Sequence, residues 1–371
     1  MNVRERLLTA LAGKEPDRMP ITLYGVYPYS VGDWRASRPS YRPLLDLARE
    51  ETDPFCQWNI DQGMFYGRVP ATVRSLEDGA FVERRVETPL GPLTCVTNTS
   101  PATQWIRKFY LQGDDDVQRF LSVPYVPVRP DLQPVVELDE TVGERALMCT
   151  AFLDGLGVVA DLFTPEEFAV RCISERRTIR GMIEKVSEQL YDYLDYVLGH
   201  APQSLYIIGG PELATAPLLA PRYFDEFVMA FDRRLVEMIH EHGSWAAIHC
   251  HGQLNGVLER IADLGADALH PCEAPPMGDV PLAEVKRRAG NRMCLIGNVQ
   301  IGDVINGEPA EMDARVCEAV RAGSPGGGFI LSITASPYED ELSALTLDNY
   351  RRFVRSGRRC DSSGEPRGIQ L

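Results

Sequence analysis

The stretch 245–273, WAAIHCHGQLNGVLERIADLGADALHPCE, constrains the fold more than any other part of the chain. It opens with a short apolar run, residues 245–248, which reads as a buried strand and stops at His249-Cys250-His251-Gly252. Leu254, Val257, Leu258, Ile261 and Leu264 then recur at helical spacing. A second apolar run, residues 266–269, stops at His270-Pro271-Cys272-Glu273. The segment is therefore a β-α-β unit whose two strands both end in potential metal ligands. It also carries three of the chain's six histidines. In α/β folds, groups at the carboxyl ends of parallel strands face the functional mouth.

The same rhythm runs through most of the chain. Residues 19–23, 54–60, 146–152, 205–208, 293–296 and 329–333 are further strand candidates, and periodic helical segments separate most of them. Eight strands alternating with helices predict a (β/α)8 TIM barrel. An N-terminal helix is expected over 2–13, an inserted β-hairpin over about 80–97, an extended stretch over 124–135, one long helix over 221–242 and a closing helix over 347–355. Residues 1–357 read as one domain and 358–371 as a tail. The alternative is an open doubly wound sheet, but neither GxGxxG nor GxxxxGK[ST] is present to support it.

Composition narrows the class. The 371 residues are 44% hydrophobic, enough for a sizeable core, with no apolar run approaching the ~20 residues of a membrane helix. The charged, amphipathic start lacks the apolar core of a secretory signal. Nine scattered cysteines suit reduced thiols, so the expected location is cytoplasmic. A net charge of -15 speaks against a nucleic-acid partner and makes a highly anionic substrate unnatural. A small-molecule substrate is expected.

If the strands are placed correctly, their ends name the site: Tyr24, Asp61, Asp154, Glu212, His249 with His251, Glu273, Asn298, and Thr334 with Ser336. Tyr24, Asp61, Asp154 and Glu212 are the catalytic candidates, and Asn298, Thr334 and Ser336 the substrate-binding ones. Each has an ordinary structural reading beside the functional one: Asp61 and Asp154 can close turns, and Asn298 can cap a helix. Residues two apart on a strand point the same way, so both imidazoles of His249 and His251 can reach one ion, with Glu273 at the same height on the next strand. Imidazole and carboxylate suit zinc, iron or manganese. The competing reading of the trio is a metal-free hydrogen-bonded cluster.

From residue 1 to about 354 the chain resembles the uroporphyrinogen decarboxylase superfamily. The resemblance rests on RERLLTALAGKEPDRMP at the start, LLAPRYFDEFV ahead of the long helix, the HxxG turn, LIGNV after it, and the GGFILS strand. It implies the barrel. Closer comparison favours the zinc- and cobalamin-dependent methyltransferase-like branch over true uroporphyrinogen decarboxylases. The latter carry an arginine-rich segment after strand one, where this chain reads LYGVYPYSVGDW with no arginine before Arg35. The methyltransferase branch has His-x-Cys and a later cysteine. Here His249 matches the histidine, His251 stands in the place of the first cysteine, and Thr334 lies where the later thiol would be, while Glu273 matches the glutamate ligand of methionine synthase relatives.

The resemblance therefore implies a zinc ion on His249, His251 and Glu273, and methyl transfer or demethylation with methylcorrinoid supplied by a corrinoid protein. Two other functions remain open at this level. One is a decarboxylase or lyase acting on a small acid without metal, with Asp61 or Asp154 handling protons. The other is a non-catalytic carrier of a metal or corrinoid.

Overall fold

The computed structural model describes residues 1–100 and 104–362. In chain order its elements are α1 (Val3–Leu11), α2 (Arg42–Glu51), β1 (Phe55–Gln57), β2 (Ala71–Leu76), β3 (Phe81–Val86), β4 (Leu93–Asn98), β5 (Ile106–Lys108), α3 (Asp114–Leu121), α4 (Gln133–Val142) and β6 (Leu147–Leu153). There follow α5 (Gly155–Ala160), α6 (Pro165–Ser174), α7 (Arg176–His200), β7 (Leu205–Gly209), α8 (Pro221–Phe224), α9 (Ala230–Glu241), β8 (Trp245–His249), α10 (Leu258–Asp263) and β9 (Ala268–His270). The chain ends with α11 (Leu282–Ala289), β10 (Cys294–Val299), α12 (Ile301–Asn306), α13 (Pro309–Gly323), β11 (Phe329–Ile333) and α14 (Ala344–Ser362).

Seven strands form one parallel sheet in the order β1-β6-β7-β8-β9-β10-β11. The expected first strand, residues 19–23, is reduced to a single parallel bridge between Ile21 and Leu331. That bridge still completes the ring. Thr22 N–H donates to the Leu331 carbonyl and Leu331 N–H to that of Pro20, while on the other side Asp53 N–H donates to Ile21. The result is a TIM-barrel-like α/β fold.

Side chains on alternate residues fill the interior, as the pleat demands. Phe55, Leu147, Cys149, Leu205, Ile207, Ala247, Ala268, Cys294, Ile296 and Ile330 form one inner cluster. Leu7, Ala10 and Leu11 of α1 belong to it as well, so the N-terminal helix packs against the barrel interior. An Asn2/Glu5 capping box starts this helix. The larger core lies between the strands and the surrounding helices.

Several expectations change. The hairpin at 80–97 is the centre of a four-stranded antiparallel sheet, β2-β3-β4-β5, with Val86 opposite Leu93. The outer strand β2 is almost wholly exposed, which is why its sequence lacks an apolar signature. The extended stretch gives way to α4 from Gln133 onward. The long helix over 221–242 is interrupted by a π-helical turn, Asp225–Met229. The closing helix runs through the expected tail boundary to Ser362, and residues 363–371 of that tail lie outside the described residues. Cys317 and Cys360 are joined in a disulfide between α13 and α14, against the expectation of thiols throughout, while the seven other cysteines are free and buried. Among the described residues no helix is long and apolar enough to cross a membrane.

The ring closes over one buried carboxylate. Asp53 is fully buried. Its Oδ1 accepts from Arg6 at 2.7 Å and Arg18 at 2.8 Å, and its Oδ2 accepts from Arg18 at 2.6 Å and from Ile21 N–H at 3.1 Å. Arg358 of α14 stands 3.6 Å away. Removing one partner of a buried ion pair leaves the other charge uncompensated. Asp53→Ala is therefore expected to cost roughly 3–5 kcal/mol, read as a lowered urea midpoint. A loss below about 1 kcal/mol would mean that the seam is not held this way.

Candidate active site

The site follows from strand parity. Ala247 and Ala268 point to the barrel interior, so His249 and His270, two residues further on, point there too in the next layer up. The two rings stack at 4.9 Å and 20°. Tyr24, just beyond the bridging segment, lies against both, 4.3 Å from His270 and 5.5 Å from His249. Behind it, Gly25 has φ +74°, and a Cβ there would fall 1.9 Å from Ser336 Oγ. Ser336 thus packs on the backbone that places Tyr24, rather than being placed by any described contact to bind substrate.

His251 continues beyond the strand end, with its ring 4.6 Å from that of His249. Its Nδ1 lies 3.2 Å from Glu273 Oε1. The other oxygen of Glu273 accepts Gly252 N–H at 2.9 Å. Gly252 has φ +79°, a conformation that side chains disfavour, and this turn aims its N–H at the carboxylate. The HxHG sequence and Glu273 therefore act as one unit.

Burial works against charge on both partners, yet their mutual hydrogen bond outweighs it. Glu273 is held below the usual carboxylate range, and His251 above the ordinary imidazole value with help from Glu212. The two shifts run in the directions that favour an imidazolium beside a carboxylate. His249 has the opposite fate. Burial, reinforced by the neighbouring His251, lowers its pKa to about 3, so it stays neutral. Glu212, after β7, accepts Gly210 N–H at 3.2 Å, and burial raises its pKa, with His251 opposing. It is the second carboxyl group to act on His251.

The structure brings Tyr24, Glu212, His249, His251 and Glu273 together. Other expected residues are committed elsewhere. Asp61 lies past the end of its short strand, is exposed, and closes a turn onto Gly63 N–H at 2.8 Å. Asp154 is fully buried, and its Oδ1 caps α5 through Gly157 N–H at 2.6 Å. Asn298 donates to the Cys272 carbonyl at 3.1 Å, tying β10 to the turn that carries Glu273 instead of capping a helix. Thr334 is fully buried, accepts Ile301 N–H at the start of α12, and donates to Gln300 Oε1. Its hydroxyl is spent on the wall rather than offered to substrate. Sequence reasoning missed His270, although its spacing from Ala268 marks it as facing inward.

The trio matches zinc chemistry in kind. The 3.2 Å between His251 Nδ1 and Glu273 Oε1 is close to the ~3.3 Å separating two ligands on a tetrahedral ion with ~2.0–2.1 Å bonds. His249, however, turns its Nδ1 to His270 at 2.9 Å, which leaves Nε2 as its uncommitted ring nitrogen. Among the described residues, no group of three or more His, Cys, Asp or Glu side chains is arranged to hold a metal ion. The donors are of the right type, but they are not preassembled around one point.

Residues 157–337 match the family described as uroporphyrinogen decarboxylase (URO-D). Over that span the chain is similar to the URO-D family. The matched span begins in α5, ends just past β11, and includes Glu212, His249, His251 and Glu273. Uroporphyrinogen decarboxylase of Pseudoalteromonas translucida is 20% identical over 343 residues, covering 89% of this chain and 90% of its own length. That of Chromohalobacter salexigens is 22% identical over 351 residues, covering 91% and 93%. A solved methyltransferase from Methanosarcina mazei superposes with a TM-score of 0.62 at 16% identity, covering 97% of this chain and 99% of its own, and so shares the fold.

Asp154 has a second acidic neighbour in the wall behind this site. Asp232 of α9 is the neighbouring acid, and burial together with Asp154 holds its carboxyl well above the usual carboxylate range. Asp154 Oδ2 and both Asp232 oxygens are buried without a hydrogen-bond partner among the described residues. Burial raises the Asp154 pKa to about 7. An unfolded aspartate titrates near 4, so between those values the folded state binds more protons, and stability falls as pH rises from about 4 to 7. Asp154→Asn keeps the cap without the charge. It should match wild type near pH 4 and gain roughly 1–3 kcal/mol at pH 8, measured by urea denaturation at both values. Equal stability at pH 8 would refute the assignment.

Proposed function

We propose that this URO-D-fold chain is an enzyme that transfers a methyl group to or from a small molecule, with a divalent ion, zinc by preference, on His249, His251 and Glu273. The single observation carrying this reading is the convergence of the HxHG turn and Glu273, with a neutral imidazole beside an imidazole-carboxylate pair. The shared fold with the Methanosarcina mazei methyltransferase is consistent with it. Bound there, an ion would supply Lewis-acid polarisation of a substrate heteroatom.

The chain's own groups do the rest. Tyr24 forms an aromatic wall over His249 and His270. Glu212, with its raised pKa, can hold or release a proton next to His251. No thiolate joins the donor set, because burial raises the pKa values of Cys250 and Cys272 and keeps both thiols protonated. A set of nitrogen and oxygen donors favours an oxygen- or nitrogen-centred substrate over a thiol. In this proposal the methyl donor is a methylcorrinoid brought by a corrinoid protein or, in the reverse direction, the acceptor is its demethylated corrinoid.

Metal content tests the proposal. Wild-type protein purified without a His tag and dialysed against zinc should hold about one ion per chain. His251→Ala should lose the ion while keeping its circular dichroism spectrum. Wild type holding well under one ion, or a variant holding as much as wild type, would sink the metal reading.

A second reading has its own support. His251 paired with Glu273 and flanked by Glu212 is an acid-base group without any ion, suited to decarboxylating a small acid. Turnover that survives exhaustive chelation would favour it. A carrier of metal or corrinoid would show no turnover in either condition.

Under either reading the substrate is not uroporphyrinogen. Its many carboxylates require several cationic partners. The partners described for Tyr24, Glu212, His249, His251 and Glu273 include no lysine or arginine. Arg35, the first arginine after the bridging segment, is bound to Asp33 and the Pro337 carbonyl. Incubation with uroporphyrinogen should yield no coproporphyrinogen by chromatography, and its appearance at an appreciable rate would overturn this prediction.

A further inference from the structure

His270 has no place in the reading above, yet it is the most buried histidine of the mouth and contacts the other groups on two sides. Its Nε2 lies 3.1 Å from the Ile333 carbonyl oxygen. Its Nδ1 lies 2.9 Å from His249 Nδ1. The ring is 2% exposed and has no carboxylate among its described partners.

These contacts fix the protons. A carbonyl oxygen can only accept, so His270 Nε2 carries the hydrogen and donates to Ile333. An imidazolium this deeply buried without an anion is strongly disfavoured, so the ring is neutral. The neutral ring has only one N–H, so its Nδ1 is a bare acceptor. Two nitrogens 2.9 Å apart need one hydrogen between them, and it must therefore reside on His249 Nδ1. His249 is stacked against Tyr24 and His270 with no carboxylate among its described hydrogen-bond partners, so its ring carries a single hydrogen and Nε2 is bare.

We infer that His270 is a positioning residue: it passes the demand of the Ile333 carbonyl through its own ring to hold His249 as the Nδ1–H tautomer, with the lone pair on Nε2. The polarity runs Ile333 O, His270 Nε2–H, His270 Nδ1, His249 Nδ1–H. Each link is set by the one before, and the first is a backbone carbonyl at the end of β11 that cannot reverse. Tyr24 lies against both rings and keeps their planes within 22° of its own. A basic Nε2 is the form needed by a metal ligand or by a general base. The tautomer stands independently of the proposed function; only its consequence for zinc rests on that reading.

Long-range proton-nitrogen correlation spectra of metal-free, ¹⁵N-histidine-labelled full-length protein read the tautomer directly. His249, assigned by its loss in His249→Gln, should show a pyrrole-type Nδ1 and a pyridine-type Nε2. In His270→Phe, which keeps an aromatic ring under Tyr24 but no acceptor, His249 should shift toward the Nε2–H form. In His270→Asn, whose amide oxygen can accept near the position of Nδ1, the wild-type pattern should return. If zinc binds, its affinity should fall about 10–100-fold in His270→Phe and recover in His270→Asn. A wild-type His249 with hydrogen on Nε2 would overturn the inference even if neither variant folds, as would a pattern unchanged in a folded His270→Phe. Failure of zinc to bind any of the proteins would sink the metal reading alone and leave the tautomer result standing.

Discussion

Everything at the mouth depends on a ring being closed at the seam between the first and last strands. That seam has almost no strand in it. Ile21 supplies one bridge to Leu331, and its carbonyl accepts from Asp53. Two or three backbone hydrogen bonds, each worth about 1 kcal/mol net, are a thin join for a barrel. The Asp53 carboxylate thickens it by drawing arginines from α1, from the segment after it and from α14 onto one point. Tyr24 comes three residues after Ile21, so the position of the aromatic wall is inherited from that ion cluster.

The second constraint is mutual satisfaction. Packing a carboxylate and three imidazoles into a half-buried layer is costly unless each hydrogen has an acceptor. The mouth resolves this by splitting its histidines into two kinds. Glu273 favours charge on His251, while burial disfavours it on His249 and His270. A site whose imidazoles are pushed in opposite directions has a defined direction for protons, whichever chemistry it performs. This order comes from neighbours a few ångströms away and not from the residue types themselves.

Much of the fold was legible because its signals are local. The β-α-β unit at 245–273 and the strands after residue 145 survive in the structure. The opening segment RERLLTALAGKEPDRMP can now be understood physically: Arg6, Asp17 and Arg18 are the ion cluster of the seam. What stayed illegible is what depends on distant partners. Residues 19–23 look like a strand but make one bridge. The sheet around 71–108 hides its outer strand in solvent-compatible residues. Asp154 follows a strand as a catalytic acid would, and only the approach of Asp232 from α9 shows that it belongs to the wall. His270 was read as the end of a strand, and its part in the site emerges only when Ile333, 63 residues later, supplies the carbonyl.

The break in the helix before β8 carries a geometric lesson. Its buried residues come in pairs, Tyr223 with Phe224, Phe227 with Val228, Phe231 with Asp232, and Leu235 with Val236, each pair four residues after the last. An α-helix turns once in 3.6 residues, so a stripe of period four drifts by about 40° at each repeat and would spiral off the barrel wall within a few turns. The wide turn at Asp225–Met229 is placed within the stripe, where a locally unwound coil takes up that drift. The phase of the whole helix is thereby reset in midcourse. Asp232, the one acid in an otherwise oily row, faces inward because of where that reset falls.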